Sequence, residues 1–309
     1  MQRALKNLVK KNLRRVFELG QRAGLDILPR HFYSQVPDVR ELRRTDTWRQ
    51  PRHMQSVRGH ELAGQLEFAE QVCKQEYIQR ALRDDVYEKA CAENGEAGYG
   101  PVEAVFLYAF MRAKKPRRVV QVGAGVSSAV MLMAARDGDF PCELHCIDPH
   151  PTAYLQREAA AARVQLIARP AQEVVVEQAA LLQSNDLLFV DSTHTVKPGS
   201  EVNVIVLDVL PNLAPGAWVH FHDITFPYDY TRRVTSEDIF FPAESTLLHA
   251  FLSCNDRYAI AASLSMLHYR APDKLFALLP SYQRAGDADG LLTSPGHFPS
   301  STYLCVLRS

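Results

Sequence analysis

From residue 117 onward, short apolar runs alternate with longer segments in which apolar residues recur at helical spacing. The short runs are apolar on both faces, which is typical of strands in a parallel sheet covered by helices on both sides. We predict strands at 117–122, 143–148, 163–168, 186–191 and 216–222. Helices are predicted between them at 126–136, 152–162, 171–182 and 198–212. This alternation favours an α/β fold.

The pattern changes after the fifth of these strands. A loop that contains Pro227 and Pro242 leads to a predicted helix at 243–253, and apolar runs at 257–264 and 302–308 predict two more strands. We expect the long segment between these two strands to be irregular. Two strands late in the chain are typical of an antiparallel hairpin at the edge of a sheet.

The beginning of the chain follows a different pattern. A basic helix is predicted first, a proline-containing stretch follows at 29–51, and residues 61–94 again have helical spacing. A glycine-rich break follows at 95–100. The sequence therefore predicts a basic, largely helical N-terminal extension at 1–94 and one α/β domain at 95–309.

Positive charge is concentrated near the N-terminus. Residues 1–60 contain 14 lysines and arginines and 5 acidic residues, although the whole chain has no net charge. The predicted first helix has one apolar face, formed by Leu5, Leu8, Val9, Leu13, Val16 and Phe17. Such a helix could lie on an anionic membrane surface, or it could pack on the domain or on a second subunit, which is the simpler interpretation. Nucleic-acid binding is not expected, because no aromatic or glycine-rich platform accompanies the charge.

The composition indicates a globular protein. Apolar residues make up 47% of the chain, but no run reaches the roughly 18 apolar residues that a membrane span requires. The N-terminus is charged where a secretion signal needs an apolar region, and the six cysteines are scattered. We therefore expect a cytoplasmic protein with reduced cysteines. A zinc site at Cys142 and Cys146 is disfavoured, because both lie in a predicted strand.

A glycine-containing turn joins the first predicted strand to its helix. The strand runs into Gly123-Ala124-Gly125 and then Ser127-Ser128, and the second strand ends at Asp148. Glycines allow a ligand to approach the backbone closely, and the helix start offers free N–H groups. A carboxylate at the next strand end can accept hydrogen bonds from two ribose hydroxyls. This arrangement favours a nucleoside ligand over a turn without a ligand, and Ser128 in place of a third glycine disfavours NAD.

Polar residues or glycines follow all five predicted parallel strands. In an open parallel sheet, ligands bind beyond the carboxyl ends of the strands. Asp191, His222 and Asp223 follow two of these strands, where carboxylates and an imidazole could together bind a divalent ion. Histidine among the ligands shifts the preference from Mg²⁺ toward Mn²⁺, Fe²⁺ or Zn²⁺. The alternative is that the two aspartates only cap the segments that follow them.

His194 lies three residues beyond the fourth predicted strand, in a polar loop. An unperturbed histidine pKa of about 6.5 suits a general base at neutral pH, although many loop histidines are merely solvated. His220, inside the fifth strand, is expected to be buried and hydrogen bonded. Tyr99, in the glycine-rich break, could reach the cofactor, and Glu244 could shape an acceptor pocket.

Four segments, taken in order, resemble class I S-adenosylmethionine-dependent methyltransferases. They are 121–127, 147–148, 186–194 with its Asp-Ser-Thr-His sequence, and 215–224 with its His-Asp pair. The likeness is greatest to the bacterial small-molecule and sugar O-methyltransferase-like group with a D-S-x-H loop and an H-D pair, and it covers roughly residues 95–265. It implies a Rossmann-like, seven-stranded, mostly parallel sheet with one antiparallel strand, next to the N-terminal helical extension.

The resemblance also implies the residues that hold the cofactor. S-adenosylmethionine would lie over the glycine turn, with Asp148 at the ribose and Gln172 or Glu173 near the adenine. The expected cofactor-binding residues are Tyr99, Gln121, Gly123, Ala124, Gly125, Ser127, Ser128, Asp148, Gln172 and Asp191.

The activity implied is methyl transfer to a hydroxyl of a small molecule or sugar, with His194 and Asp191 as catalytic residues. Metal-dependent relatives place acidic ligands at the positions of Asp191, His222 and Asp223, where Mg²⁺, Mn²⁺ or Fe²⁺ could bind. Gln121 and His222 depart from the family pattern, since each stands where an acid is usual. The alternative functions are a non-catalytic, regulatory nucleoside-binding protein and an iron oxygenase with two histidines and one carboxylate. A homo-oligomer is expected.

Overall fold

Seven strands form one sheet in this computed structural model, which describes residues 2–45, 47–231, 233–284 and 298–307. The strands are β1 (Arg118–Val122), β2 (Glu143–Ile147), β3 (Gln165–Ile167), β4 (Leu187–Val190), β5 (Trp218–Phe221), β6 (Tyr258–Ser263) and β7 (Thr302–Val306). Their order is β3-β2-β1-β4-β5-β7-β6. The first five are parallel, and β7 runs antiparallel to both of its neighbours. The predicted seven-stranded, mostly parallel sheet with one antiparallel strand is confirmed.

Helices cover both faces of this sheet. Along the whole chain, the helices before β1 are α1 (Gln2–Arg22), α2 (Val39–Arg44), α3 (Leu62–Val72), α4 (Gln75–Arg83), α5 (Val86–Asn94) and α6 (Pro101–Lys114). Those after it are α7 (Val126–Gly138), α8 (Ala153–Ala160), α9 (Ala171–Ala179), α10 (Glu201–Val204), α11 (Glu244–Leu252), α12 (Leu264–Arg270) and α13 (Pro272–Leu278). Consecutive residues of β1 enter opposite apolar layers, because side chains alternate along a strand: Val119 packs in one and Val120 in the other.

Two helices lie in the segment that was expected to be irregular, so that expectation was wrong at α12 and α13. Each helix is only seven residues long, and Pro272 begins the second one. Two such short helices leave too few turns for apolar spacing to reveal them. The predicted helix at 198–212 is also less regular than expected, since its α-helical part is confined to α10 and is followed by a five-residue π-helical turn.

Helix α6 carries a charged residue into the core. Gly100 precedes the helix and Pro101 opens it, a favourable start because proline has no N–H to leave unpaired. Every residue from 102 to 111 is buried. Glu103 lies in this apolar run and is only 2% exposed, so its carboxylate needs partners from the rest of the fold.

Contacts divide the chain into two units, Met1–Thr45 and Asp46–Ser309. The larger unit contains the sheet together with α3 to α6, and its boundary lies upstream of the predicted division at residue 94. The side chains of Leu5, Leu8 and Val9 lie outside the described part, so the apolar face expected there stays a prediction. None of the described helices is both long and apolar enough to cross a membrane.

Candidate functional site

The turn after β1 requires glycine at Gly123. Its φ is +75°, in the left-handed region that favours glycine, and a Cβ there would lie 1.7 Å from the backbone oxygen of Asp191. This close approach arises because β1 and β4 are neighbouring parallel strands that end at one edge of the sheet. The N–H of Gly123 also donates to the oxygen of Ile147, at 3.1 Å. The ends of β1, β2 and β4 are therefore held together.

Gln121 braces this turn from the core. Its buried side chain donates from Nε2 to the oxygen of Gly123 (2.9 Å) and to Oγ of Ser127 (2.8 Å). Its Oε1 accepts from Oγ of Ser128 (2.8 Å), which in turn accepts from the N–H of Gly125 (3.1 Å). A neutral amide can donate and accept at once, whereas a carboxylate only accepts. The glutamine at this position therefore organises the turn.

Two cavities flank the turn. One of about 210 Å³ is lined by Asn94, Glu96, Ala97, Gly98, Tyr99, Gly123, Ala124, Gly125, Val126, Ser127 and Asp191. The other, of about 330 Å³, is lined by Val122, Gly123, Ile147, Asp148, Pro149, Pro170, Ala171, Gln172, Asp191, Ser192, Thr193 and Glu201. Gly123 and Asp191 line both. Most of the predicted cofactor-binding residues thus meet here, while Gln121 and Ser128 lie behind the turn and line neither cavity.

Asp148 is partly buried and bonded to the same turn. Its Oδ2 accepts from the N–H of Ala124 (3.2 Å), and its Oδ1 accepts from the N–H of His150 (2.8 Å). A carboxylate has about four acceptor positions, so two stay available for a ligand. Glu173, the alternative to Gln172, instead pairs with Arg169 at 2.9 Å and lines neither cavity.

A cluster of two histidines and two aspartates lies at the ends of β4 and β5. Nδ1 of His222 is 3.2 Å from Oδ1 of Asp191 and 3.6 Å from Oδ2 of Asp223. Nε2 of His194 is 3.6 Å from the same oxygen of Asp191 and 3.5 Å from that of Asp223. The structure therefore brings together all four predicted residues. His194 and Asp223 also have positive φ angles of 56° and 54°, a strain that persists where the surroundings enforce it.

A buried glutamate contacts the far side of each histidine ring. Oε2 of Glu244 lies 2.7 Å from Nδ1 of His194, and Oε2 of Glu103 lies 3.0 Å from Nε2 of His222. Glu244 is fully buried, and Glu103 also accepts from the N–H of Ser300 (3.1 Å). Each glutamate fixes its ring so that the other nitrogen faces the aspartates. Glu103 was missed from the sequence, although an acid in the apolar run of α6 is a signal; Glu244 was assigned only to the acceptor pocket.

The surrounding carboxylates also set the charge of the two rings. Burial lowers the pKa of His194, but the hydrogen bond and charge of Glu244, with smaller effects of the aspartates, raise it above its ordinary 6.5 overall. Burial also lowers the pKa of His222, yet the charges of Asp223, Glu103 and the other aspartate raise it well above the same value. Conversely, burial raises the pKa of Asp223, and the two histidines bring it below its ordinary value. The cluster therefore favours protonated rings beside an ionised Asp223.

The donor atoms are close enough to share a metal ion. Ligand atoms of Asp191, His194 and His222 all lie within 4.8 Å of one another. This group includes His194, which the predicted metal set of Asp191, His222 and Asp223 did not contain.

His220 is buried and hydrogen bonded, which confirms the expectation for it. Its Nε2 lies 3.1 Å from the hydroxyl oxygen of Tyr99 and 3.0 Å from Oγ of Ser301. Burial holds the pKa of His220 well below its ordinary value. The ring of Tyr99 also lies 4.9 Å from that of His222 and lines the smaller cavity at the turn. Tyr99 therefore connects the turn to the histidine cluster.

A larger cavity of about 490 Å³ opens beside the cluster; we call it the acceptor cavity. Its lining residues are Tyr87, Ala97, Gly98, Tyr99, Gly100, Glu103, His194, His222, Asp223, Thr225, Tyr230, Thr231, Arg233, Val234, Asp238, Phe240, Phe298 and Ser300. It shares Ala97, Gly98 and Tyr99 with the smaller cavity at the turn. A group bound at the turn and a molecule in the acceptor cavity would therefore be neighbours.

A family model described as a methyltransferase domain matches residues 120–224. This segment runs from β1 to just past Asp223, and thus contains the glycine turn and all four residues of the histidine and aspartate cluster. The match confirms that the predicted family resemblance holds for this part of the chain.

Individual proteins resemble the chain more weakly. An uncharacterized protein from Archaeoglobus fulgidus is 28% identical over 167 residues, which cover 51% of this chain and 74% of that protein. The SAH-bound Podospora anserina methyltransferase PaMTH1 is 15% identical with a TM-score of 0.41, covering 92% of this chain and 99% of that one. The plantazolicin methyltransferase BamL, solved with SAH and a triazolic desmethylPZN analog, is 11% identical with a TM-score of 0.42, covering 80% and 98%. At such scores, the two structural likenesses carry no argument about the chemistry of this chain.

Proposed function

Residues 120–224 match a methyltransferase domain, and from this premise we propose that the chain uses S-adenosylmethionine to methylate a hydroxyl group of a small molecule or sugar. One observation carries the proposal: His194, held by a buried carboxylate, lines the acceptor cavity and lies 3.6 Å from Asp191, which lines both cavities at the glycine turn. A base next to a methyl donor is what transfer to a hydroxyl requires.

We propose that the glycine turn and Asp148 hold the donor. S-adenosylmethionine supplies a methyl group already activated by its sulfonium. Asp148 would accept hydrogen bonds from the ribose hydroxyls through its free acceptor positions, and Gln172 lies in the same cavity. Gly123 lets the backbone approach the ligand, and the braced turn presents N–H groups without rearrangement. The protein would then gain rate chiefly by holding the reacting groups in line.

His194 is proposed as the general base, with Asp191 beside it as the second catalytic residue. Its Nδ1–H donates to Glu244, so Nε2 is directed to the aspartates and can accept the proton of the acceptor hydroxyl. A buried carboxylate behind a histidine fixes the ring and stabilises the imidazolium that forms. Because its pKa is raised, the neutral, active form of His194 gains population only as the pH rises through that pKa.

The residues also fit a divalent cation. Carboxylate and imidazole donors lie close together, and each imidazole is backed by a buried carboxylate, an arrangement common around bound metals. We propose that Asp191, His222 and Asp223 would hold the ion, and nitrogen among the donors favours Mn²⁺ or Fe²⁺ over Mg²⁺. When bound, such an ion lowers the pKa of a hydroxyl that coordinates it.

The test is transfer of tritium from methyl-labelled S-adenosylmethionine to a panel of hydroxyl compounds, with the methylated atom identified by mass spectrometry. We expect an O-methyl product, and we expect His194→Ala to lose turnover while binding S-adenosylhomocysteine as before. His53→Ala, at an exposed histidine outside the site, should stay active. Cofactor binding without turnover on any hydroxyl would instead support the regulatory alternative. A product methylated at nitrogen or carbon would refute the proposed specificity.

Three further expectations from the sequence concern where the protein acts and with what. The cytoplasmic location, the homo-oligomer and the contact of the basic helix α1 with a membrane surface or a partner stay predictions. Light scattering coupled to size exclusion would measure the oligomeric state, and vesicle flotation with anionic lipids would measure membrane contact.

A further inference from the structure

The acceptor cavity has a charged inner end and apolar walls. Glu103, His194 and His222 are all less than 9% exposed and form its inner end. Tyr230 is also buried, whereas Phe240 is 40% exposed and lies toward the opening. Exposure therefore increases from the histidine cluster outward, and a ligand would enter with one end toward the cluster.

Two of the tyrosines that line the cavity, Tyr99 and Tyr230, have hydroxyls bonded to the protein. The hydroxyl of Tyr99 bonds to His220 and Ser301, and that of Tyr230 accepts from the N–H of Ser245 at 3.3 Å. Each of these two hydroxyls has at least one protein partner, so the aromatic rings form the larger part of the surface that these residues offer to a ligand.

Two further polar groups along the walls are also engaged. Oγ1 of Thr225 donates to the oxygen of Tyr228 at 3.2 Å, and Oγ of Ser300 donates to Asp223 at 2.9 Å. Val234 and Phe298 add apolar surface. A sugar carries hydroxyls on nearly every carbon, and burying them here without partners would be unfavourable.

From these contacts we infer that the acceptor is a hydroxylated aromatic compound of two or more rings, and not a sugar. The inference rests on the proposed function and narrows its acceptor class. A cavity of about 490 Å³ is within the range that holds a drug-sized ligand. The reacting hydroxyl would lie at the histidine cluster and the apolar rings between the tyrosines. Arg233 and Asp238 have side chains that are about half exposed and lie 3.8 Å apart, and they place charged groups at the opening.

The experiment is calorimetric titration of the full chain, first with S-adenosylhomocysteine and then, at saturation, with three probes. The probes are 2-naphthol, phenol and methyl β-D-glucopyranoside, which compare two aromatic rings, one ring and a sugar. We expect one site per chain, with 2-naphthol at least tenfold tighter than phenol and no saturable binding of the glucoside. Phe240→Ser should lower the affinity for 2-naphthol at least threefold and leave the affinity for S-adenosylhomocysteine unchanged. Phe276→Ser is the matched control, since Phe276 is 47% exposed and lies outside the cavity lining.

The outcomes separate this inference from the proposed function. If S-adenosylhomocysteine does not bind, the proposed function falls and the inference falls with it. If S-adenosylhomocysteine binds but the glucoside binds as tightly as 2-naphthol or more tightly, only the inferred acceptor class is overturned. Equal binding of 2-naphthol to the Phe240 and Phe276 variants would also overturn it, because the ring would then bind elsewhere. Should Phe240→Ser fail to fold, the ranking of the three probes on the unaltered protein still decides.

Discussion

Replacing Glu244 with glutamine removes a charge from the site while keeping an acceptor oxygen for the ring of His194. Oε2 of Glu244 lies 2.7 Å from Nδ1, and the side chain is fully buried. A glutamine oxygen can still accept from Nδ1–H, so the ring should keep its orientation. The imidazolium formed when His194 takes a proton would, however, lose its charged partner. We therefore expect Glu244→Gln to slow turnover without weakening cofactor binding.

The size of the effect follows from this contact. A hydrogen bond to a charged group contributes about 1.5–3 kcal/mol. Since about 1.36 kcal/mol corresponds to a tenfold change in rate, kcat should fall roughly 10- to 150-fold. The direction in which the pH profile of the rate should move follows from the same contact. Glu244 helps to raise the pKa of His194, so its loss lowers that pKa, and the acid limb of the rate profile moves to lower pH.

The assay measures the initial rate of methyl transfer from labelled S-adenosylmethionine to the best acceptor in the hydroxyl panel. The rate is measured from pH 5 to 9 in steps of about half a unit, because this range spans the histidine titration. Glu173→Gln is the control, because Glu173 is an exposed glutamate paired with Arg169. Glu244→Ala, which removes orientation as well as charge, should be slower than Glu244→Gln. An unchanged kcat and an unmoved acid limb in both Glu244 variants would refute the role of His194 as a base oriented by Glu244.

Three other variants test separate parts of the site. Asp148→Asn should lower the affinity for S-adenosylhomocysteine, measured by calorimetry, roughly 10- to 150-fold, because charged hydrogen bonds to the ribose are lost. Gly123→Ala should destabilise the fold by about 2–5 kcal/mol in urea denaturation, since a positive φ and a collision with the backbone of Asp191 act together. Glu103→Gln should weaken Mn²⁺ binding about 10- to 100-fold by titration calorimetry, because Glu103 orients the ring of His222.

Two of these variants have a control within the chain. Asp208→Asn changes an exposed aspartate away from the turn and should bind the cofactor normally. Gly199→Ala has a similar φ of +78° but meets no atom within 4 Å, so it isolates the backbone strain. Equal stability of the two glycine variants would contradict the collision at Gly123. Mn²⁺ affinity that is unchanged by Glu103→Gln, with cofactor affinity also unchanged, would contradict the orienting role.

Much of the sheet could be predicted because its strands are apolar on both faces and end in glycine or polar residues. The runs before Gly123 and Asp148 are examples, and both became neighbouring parallel strands. The late antiparallel pair of strands was predicted from the local pattern and the single reversed strand from the family resemblance, but neither predicted that β7 lies between β5 and β6. The helices α12 and α13 escaped prediction, because short helices gain their stability from tertiary packing rather than from a visible period.

The residues of the site also fall into those that the sequence predicted and those that it did not. His194, His222 and the two aspartates were predictable, since each lies within four residues after the end of a strand of the sheet. Their partners were not, because Glu103 lies 119 residues from His222 and Glu244 lies 50 residues from His194. No spacing rule connects such distant positions. Gln121 illustrates a third case: its departure from the family pattern was visible, but its bonds to Gly123 and Ser127 required the folded turn.

Binding of S-adenosylhomocysteine tests the central claim most directly. The purified protein should be titrated calorimetrically beside its Asp148→Asn variant. We predict one binding site per chain with an affinity on the order of micromolar, and a much lower affinity for the Asp148→Asn variant. If the unaltered protein releases no heat of binding up to millimolar ligand, with or without added Mn²⁺, then the glycine turn does not hold this cofactor and the methyltransferase account is contradicted.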